Sequence, residues 1–374
     1  MSLPRRAVFV AGRGAVTTFG AGAGALSDAV WAGRSGVLPR RRTARCAAPT
    51  AVAAEVPDAC LPSAPESDRP LLLARRAALE ALDEAREPDR AAIGLVLAST
   101  KADLSGIVGP GQGLGCPARL ARRLAGELGL HGVAGVVSTA CASGLVALSL
   151  AARRIARGED ERLLVVGVDA LSEFILAGFG SLHALDPGPC RPFDVARRGI
   201  SLGEASGALL LTARAGESIG VTLAGHGGAN DACSAILPDD GGEGLALAAR
   251  RALAAAGLAP HEVDVVHAHG TATLANDRSE ALGLAALFGG RTPPVFGTKA
   301  QTGHTLGAAG VIETVLAIEA LRRREAPANA GLDEPGVDAR LDLVRERRTL
   351  PRARCALKVA GGFGGIQAAV VLAT

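Results

Sequence analysis

The sequence predicts an α/β protein of mostly parallel sheet, covered by helices and built as two halves of similar order. Three observations carry this. Short apolar runs of strand type alternate with longer stretches of helical spacing along the whole chain, as strands joined by crossover helices do. In each half a strand feeds a reactive residue that precedes a helix, which points to internal duplication, although no close residue repeat is present. Hydrophobic residues make up 48% of the 374 residues and charged residues 21%, a balance that supports a large packed core and excludes a disordered chain.

In the first half, Arg6–Ala11 reads as a strand followed by a glycine-rich turn, and Gly22–Ala32 as a helix. Pro39–Pro65 is rich in Pro, Ala and Arg without periodicity, a surface excursion. Pro70–Glu87 has helical spacing, with Leu72, Ala78, Leu79 and Leu82 on one side and charges on the other. Ala92–Leu97 is a buried strand, Pro117–Leu128 a helix, Gly135–Ala140 a strand, Ala142–Arg157 a helix ended by Gly158, and Arg162–Val168 a further strand. The second half places strands at Leu209–Thr212, Val221–His226, Val263–His267, Val295–Gly297, Arg354–Val359 and Gln367–Ala373. Its helices are Glu243–Ala256, Ser279–Phe288 and Ala308–Arg324. A boundary near Ala213 gives halves of 1–213 and 214–374.

Composition narrows the function. Tyrosine is absent, tryptophan and methionine occur once each, and the formal charge is +3. The core is therefore aliphatic, and neither stacking on nucleic-acid bases nor general polyanion binding is expected. Basic residues are almost all arginine, a compositional bias that makes Lys299 stand out beside the only other lysines, Lys101 and Lys358. Seven cysteines are scattered singly, without C-x-x-C or metal-like spacing, as in a reduced cytoplasmic protein. Arg5-Arg6 before Ala7–Val10 is too short a run for a secretion signal, and no run is long enough for membrane insertion. Gly12-Arg13-Gly14-Ala15 lacks the third glycine and the later acidic residue of a dinucleotide fingerprint.

Val136–Gly144 carries the chemistry. A strand, a sharp turn with one cysteine and a small-residue helix put the Cys141 thiol at a helix N-terminus, where the dipole and free N–H groups stabilise a thiolate. A small buried hydrophobe at a tight junction is the alternative. Ser143 is a competing nucleophile in the same turn, but it lacks a Gly-x-Ser-x-Gly elbow and suits local hydrogen bonding. Farther along come His267-Ala268-His269-Gly270-Thr271-Ala272-Thr273, then Gly297-Thr298-Lys299-Ala300-Gln301-Thr302-Gly303-His304, and Gly361-Gly362-Phe363-Gly364-Gly365. One cysteine, two histidines in glycine-flanked turns, one lysine and a glycine-rich loop form a constellation for thiol-based acyl transfer. His267 and His269 share a strand face, yet no third ligand of suitable spacing accompanies them, so no metal is expected.

In this order, and with Arg191-Pro192-Phe193-Asp194, Leu202-Gly203-Glu204-Ala205-Ser206-Gly207 and Ala11–Thr17, the chain resembles the β-ketoacyl-(acyl carrier protein) synthases of fatty-acid and type II polyketide assembly, nearly end to end. The resemblance implies the thiolase fold, two halves forming a five-layered α-β-α-β-α sandwich. It implies decarboxylative Claisen condensation of an acyl group on Cys141 with a malonyl carrier thioester. His269 and His304 would hold the enolate oxygen, and the backbone N–H groups of Cys141 and Phe363 the thioester oxyanion, with Phe363 as gate. Thr271 and Thr273 would bind phosphopantetheine amides. Lys299 would pair with a glutamate, matched by Glu280, with Asp277 its acidic neighbour. No cofactor is implied beyond the carrier's phosphopantetheine. The implied partners are acyl carrier protein and a second synthase or chain-length subunit, in a homodimer or heterodimer.

The chain departs from the family pattern in places. It is short between Ala98 and Ser138, where Lys101–Gly115 replaces a longer insertion that helps form the dimer contact and acyl pocket. Gly361 stands where a second phenylalanine is common, and Ile366-Gln367 replaces Thr-Asn. These departures point to a specialised synthase, such as an aryl polyene or other type II polyketide enzyme. The rival functions are a non-catalytic chain-length subunit, which would lack the cysteine, and a coenzyme A-dependent thiolase, which would need a second reactive cysteine where only Cys355 is available.

Overall fold

The computed structural model describes residues 6–63, 65–86, 89–102 and 115–374. Most of the Lys101–Gly115 stretch, and with it the expected role in the dimer contact and acyl pocket, lies outside the described residues.

The first half contributes β1 (Phe9–Thr17), β2 (Gly94–Ala98), β3 (Gly132–Val137), β4 (Arg162–Asp169) and β5 (Ala205–Thr212), in the order β1-β5-β4-β2-β3. The second contributes β6 (Thr222–Asn230), β7 (Val265–His267), β8 (Pro294–Phe296), β9 (Cys355–Gly362) and β10 (Ile366–Ala373), in the order β6-β10-β9-β7-β8. Adding five to each strand of the first order gives the second, so the duplication is present in the topology. The sheets meet edge to edge at β1 and β6, where Phe9 pairs with Thr222.

The sheets are mixed, not mostly parallel. β2 runs parallel to β3 and β4, and β7 parallel to β8 and β9. β5 runs antiparallel to β1 and β4, and β10 antiparallel to β6 and β9. β10 returns directly from β9 through the turn at Phe363, Gly364 and Gly365, and a strand returning without a crossover must run antiparallel. Continuous apolar runs report burial of both faces, not strand direction.

The helices are α1 (Ala23–Trp31), α2 (Arg69–Glu84), α3 (Pro117–Leu128), α4 (Ser143–Ala156), α5 (Glu173–Ser181), α6 (Glu243–Ala256), α7 (Leu274–Phe288), the single turn α8 (Lys299–Thr302) and α9 (Ala309–Arg323). α2 and α3 cover the outer face of the first sheet, with Leu73, Ala77 and Leu124 against Leu95, Leu97 and Val166. α6 and α7 cover the second, with Ala249, Leu253 and Leu284 against Val266, Leu357 and Val371. α4 and α9 lie between and touch strands of both sheets. The result is a five-layered α-β-α-β-α sandwich with an aliphatic centre.

Three local features differ from the sequence-based expectations. β1 does not turn at Gly12-Arg13-Gly14; it continues to Thr17. A Cβ at Gly12 or Gly14 would lie 2.0 Å from the carbonyl oxygen of Ala81 or Ala77, so these glycines let α2 rest on the strand. On α2 itself the buried stripe runs through Leu71, Leu73, Ala74, Ala77, Ala78, Ala81 and Leu82, leaving Leu72 and Leu79 half-buried. Helix α5 was not anticipated; Ser172 caps it by accepting from the Ile175 N–H, and Leu176 is its one buried residue.

The two central helices cross at glycines. A Cβ on Gly144 would lie 2.8 Å from the Val311 nitrogen, and one on Gly310 2.6 Å from the Leu145 nitrogen. Backbone contact here is possible only without side chains. It draws the start of α4, and so Cys141, toward the start of α9, and so His304.

Candidate active site

Cys141 sits between β3 and α4 in a tight elbow. Ala140 has φ +49°, a left-handed conformation that costs a non-glycine residue about 1–2 kcal/mol. Ser143 holds the elbow: its hydroxyl donates to the Ala140 carbonyl at 2.6 Å and accepts from the Thr139 N–H at 2.8 Å. That hydroxyl is fully committed and buried, so Ser143 is a structural member of the turn and Cys141 is the group that faces the cavity.

His269 lies just beyond β7. Glu280, on α7, accepts the backbone N–H groups of His269 (2.5 Å) and Gly270 (2.8 Å). Asp277 accepts from Ala272 at 3.1 Å and from Phe193 at 2.6 Å, stapling the turn to the Arg191–Asp194 segment. Thr271 and Thr273 hydroxyls lie 3.1 Å apart, and Thr273 caps α7 by accepting from Asn276.

His304 follows α8. Its N–H donates to the Ser201 carbonyl at 2.7 Å, and its carbonyl accepts from Gly203 at 3.0 Å. A Cβ on Gly203 would lie 2.6 Å from the Thr302 carbonyl, which explains the glycine of the Leu202-Gly203-Glu204 segment. The next residue, Glu204, is buried and bonded by Arg69, Arg42 and two backbone N–H groups.

Cys141, His269, His304, Thr271, Thr273 and Phe363 line one cavity of about 220 Å³. The two imidazoles are perpendicular, their centroids 5.4 Å apart. Phe363 stacks on Phe179 of α5 at 5.9 Å, and Gly362 abuts the turn so closely that a Cβ there would lie 3.3 Å from the Cys141 nitrogen. At Gly361 a Cβ would lie 3.0 Å from the Gln367 amide oxygen and 3.7 Å from that of Asn276, so polar side chains occupy the wall where a second phenylalanine is common.

Models of the β-ketoacyl synthase N-terminal domain and C-terminal domain match residues 5–215 and 221–333. The chain belongs to the β-ketoacyl synthase family. It is 29% identical to 3-oxoacyl-[acyl-carrier-protein] synthase 2 of Coxiella burnetii over 99% of both chains. It is 35% identical to the protein of the same name from Mycobacterium tuberculosis over 256 residues, 64% of this chain and 61% of that protein. Among solved structures, the ketosynthase ApeO in complex with its chain length factor ApeC from Xenorhabdus doucetiae superposes with a TM-score of 0.87 at 28% identity, over 99% of this chain and 98% of that one. The architecture is the thiolase fold of these ketosynthases.

Within this ketosynthase fold the expected Lys299–Glu280 pair does not form. Lys299 bonds Glu313 of α9 at 2.5 Å, donates to the His269 carbonyl, and lies 3.3 Å from His269 Nδ1. Glu280 is turned to the backbone of the His269 turn instead, and burial pushes its carboxyl up to about 7 against the pull of those two N–H groups. Glu313 escaped sequence reasoning because it lies mid-helix, 14 residues after Lys299; the signal was a lone acid inside the apolar run Val311–Val315.

All the lysines of the chain are buried here. Lys358 is fully enclosed, Lys299 is 1% exposed, and Lys101, 9% exposed, lies 3.4 Å from buried Asp169. Burial, then Lys299 and other cations, hold His269 and His304 well below 6.5; both are neutral donors at neutral pH. The ammonium of Lys299 can only donate, so it fixes the single proton of His269 on Nε2. His304 Nδ1 has no hydrogen-bond partner among the described residues.

Cys141 contradicts the expected thiolate. Burial pushes its thiol up to about 12; Lys299 and Lys101 pull it down and Asp169 pushes it up. Burial outweighs the pull of the two lysines and favours the thiol form. Cys355, the late cysteine, lies in β9, outside the cavity, with its thiol also raised to about 12. Among the described residues no group of three His, Cys, Asp or Glu side chains is arranged to hold a metal, and no helix is long and apolar enough to cross a membrane.

Proposed function

We propose that this chain is a β-ketoacyl-acyl carrier protein synthase that joins an acyl group held on Cys141 to malonyl-acyl carrier protein. The observation that carries this reading is the convergence of one thiol and two neutral, perpendicular imidazoles on a single cavity whose wall includes Gly361, Gly362 and Phe363.

In the first half-reaction the Cys141 sulfur attacks the carrier thioester, forming a new S–C bond. The bond to the pantetheine sulfur breaks, and the Cys141 proton passes through a neutral imidazole to the leaving thiolate. The N–H groups of Cys141 and Phe363 hold the oxyanion. In the second half the malonyl C–C bond breaks, carbon dioxide leaves, and its electron pair becomes an enolate whose oxygen accepts N–H bonds from His269 and His304. The carbanion attacks the acyl carbonyl, a C–C bond forms, and Cys141 leaves as a thiolate that takes up one proton from solvent, its original proton having gone to the first carrier's thiol. Oriented donors in a dry site are worth about 3–4 kcal/mol each.

Thr271 and Thr273 at the cavity wall suit the pantetheine amides, and Glu280 acts by shaping the His269 turn. The chain divides near Ala213, and it works in the cytoplasm without a resident cofactor, with acyl carrier protein and a second synthase or chain-length subunit as partners. The intact cysteine disfavours a chain-length subunit, and the position of Cys355 disfavours a thiolase. The departures at Gly361 and Gln367 favour a type II polyketide or aryl polyene pathway. Incubation with aryl-primed and saturated acyl carriers plus malonyl carrier, followed by intact mass of enzyme and carrier, tests the reading. Loading on Cys141 and a β-ketoacyl product support it; a loaded carrier that never transfers its acyl group overturns it.

A further inference from the structure

The mechanism above uses Lys299 but leaves a second buried lysine without a task. Lys358 stands in β9 in register with His267 of β7. Its ammonium donates to the carbonyls of Ala268 (2.9 Å) and Val359 (2.7 Å) and lies 2.7 Å from the second carboxylate oxygen of Glu313. Two carbonyls take hydrogen bonds from the ammonium and a carboxylate oxygen pairs with its charge, all within 2.9 Å, a compact point-charge site that a planar guanidinium does not match. In a chain whose other basic residues are almost all arginine, a lysine stands where that geometry is required.

We propose that Lys358 is a positioning residue for decarboxylation: its ammonium clamps the strand end before His269 to β9 and α9 and places fixed positive charge behind the developing enolate. The inference rests on the condensing activity proposed above. Ala268 is the residue before His269, and Val359 lies on the strand that leads to Gly362 at the Cys141 turn, so one ammonium ties both walls of the cavity.

The charges around it set the effect. Glu313 lies between two lysines and offsets only one of them. Glu280 also faces this cluster, and His267 beside it is held neutral by burial and by both lysines. Lys358 is among the groups that hold His269 and His304 neutral. The charges acting on the Cys141 thiol are instead Lys299, Asp169, Lys101 and Glu313. Lys358 is bonded to the strand end before His269 and not to the Cys141 turn, so its larger effect falls on the enolate step. Burial and Lys299 lower its own ionisation to about 8 against the pull of Glu313, so its charge is lost within an accessible pH range.

The test is Lys358→Met in the full chain, with acyl loading of Cys141 and carbon dioxide release from malonyl-acyl carrier protein measured separately between pH 6.5 and 9. Loading should stay within about two-fold of wild type, while decarboxylation at pH 7 falls on the order of ten-fold. The wild-type decline in decarboxylation above pH 8 should be absent from the variant, and the thermal midpoint at pH 7.5 should not fall, because an unfavourably buried charge has been removed. Unchanged decarboxylation overturns the proposal, as does an equal loss of loading and decarboxylation with a lowered midpoint. If the variant does not fold, a wild-type decarboxylation rate that stays flat between pH 7 and 9 overturns it. A wild type that neither loads nor decarboxylates sinks the condensing activity itself.

Discussion

Gly144 and Gly310 meet backbone to backbone where the two central helices cross. The Cys141 turn and the His304 turn enter opposite helices of that crossing, so the spacing of the reactive groups is set by the absence of two side chains. Gly144→Ala or Gly310→Ala should destabilise the fold by about 1–3 kcal/mol through overpacking and slow condensation more than acyl loading. Urea denaturation and the two separate rate measurements check this; a variant with wild-type stability and rates would show that the helices can part without consequence.

Lys299 controls His269. Lys299→Met should leave loading of Cys141 measurable but slow decarboxylation on the order of 100-fold, because the Nε2 proton is no longer fixed and a buried cation is lost. Glu313→Gln should be worse for the fold: two ammonium groups then share a neutral partner, at a cost of about 3–5 kcal/mol. Thermal denaturation of the two variants side by side tests the ranking.

Glu280 gives a stability signature with a definite sign. Its carboxyl ionises at about 7 in the folded protein against 4.5 as the ordinary value. Between those values the folded chain holds a proton that the unfolded chain has released, so this group makes stability fall as pH rises from 4.5 through 7. The full difference is about 3 kcal/mol. The buried histidines act oppositely, losing stability as pH falls below 6.5. Denaturation of wild type and Glu280→Gln at pH 5 and 7.5 isolates the term: the wild type should lose more stability than the variant over that rise, and equal changes would refute the assignment.

Cys141 should behave as a buried thiol with raised ionisation. Alkylation by iodoacetamide, followed by mass spectrometry of the Cys141 peptide, should accelerate about ten-fold per pH unit from 7 to 10 without a plateau. A plateau near neutrality would mean that the thiolate is stabilised after all. The exposed Cys116 and Cys233 provide the comparison within the same digest.

Much of the site was legible in the sequence because its reactive residues stand in turns with their own small-residue surroundings: Cys141 before Ser143-Gly144, His269 before Gly270, His304 after Gly303. Glycine hid as much as it revealed. Gly12 and Gly14 resemble a turn but belong to a continuous strand that makes room for the carbonyls of α2. The pairing of Glu313 with Lys299 and Lys358 was not legible, because a buried ion pair leaves no local periodicity; only the fold brings α9, α8 and β9 to one point. The protonation of Cys141 was misjudged for a related reason. A helix start is visible in a sequence, whereas the desolvation that outweighs it is a property of the assembled cavity. Helix α5 is apolar nearly all round (Phe174, Ile175, Leu176, Ala177, Phe179), so it has no polar face to mark a helical period.

The enclosure of Lys101, Lys299 and Lys358 has a chemical consequence beyond the reaction. Activated thioesters transfer their acyl groups spontaneously to free primary amines, and every turnover of the proposed reaction brings such esters to this protein. Its outer surface presents guanidinium groups in place of lysine side-chain amines, so the carriers of the proposed reaction meet no exposed lysine that could become an accidental acceptor.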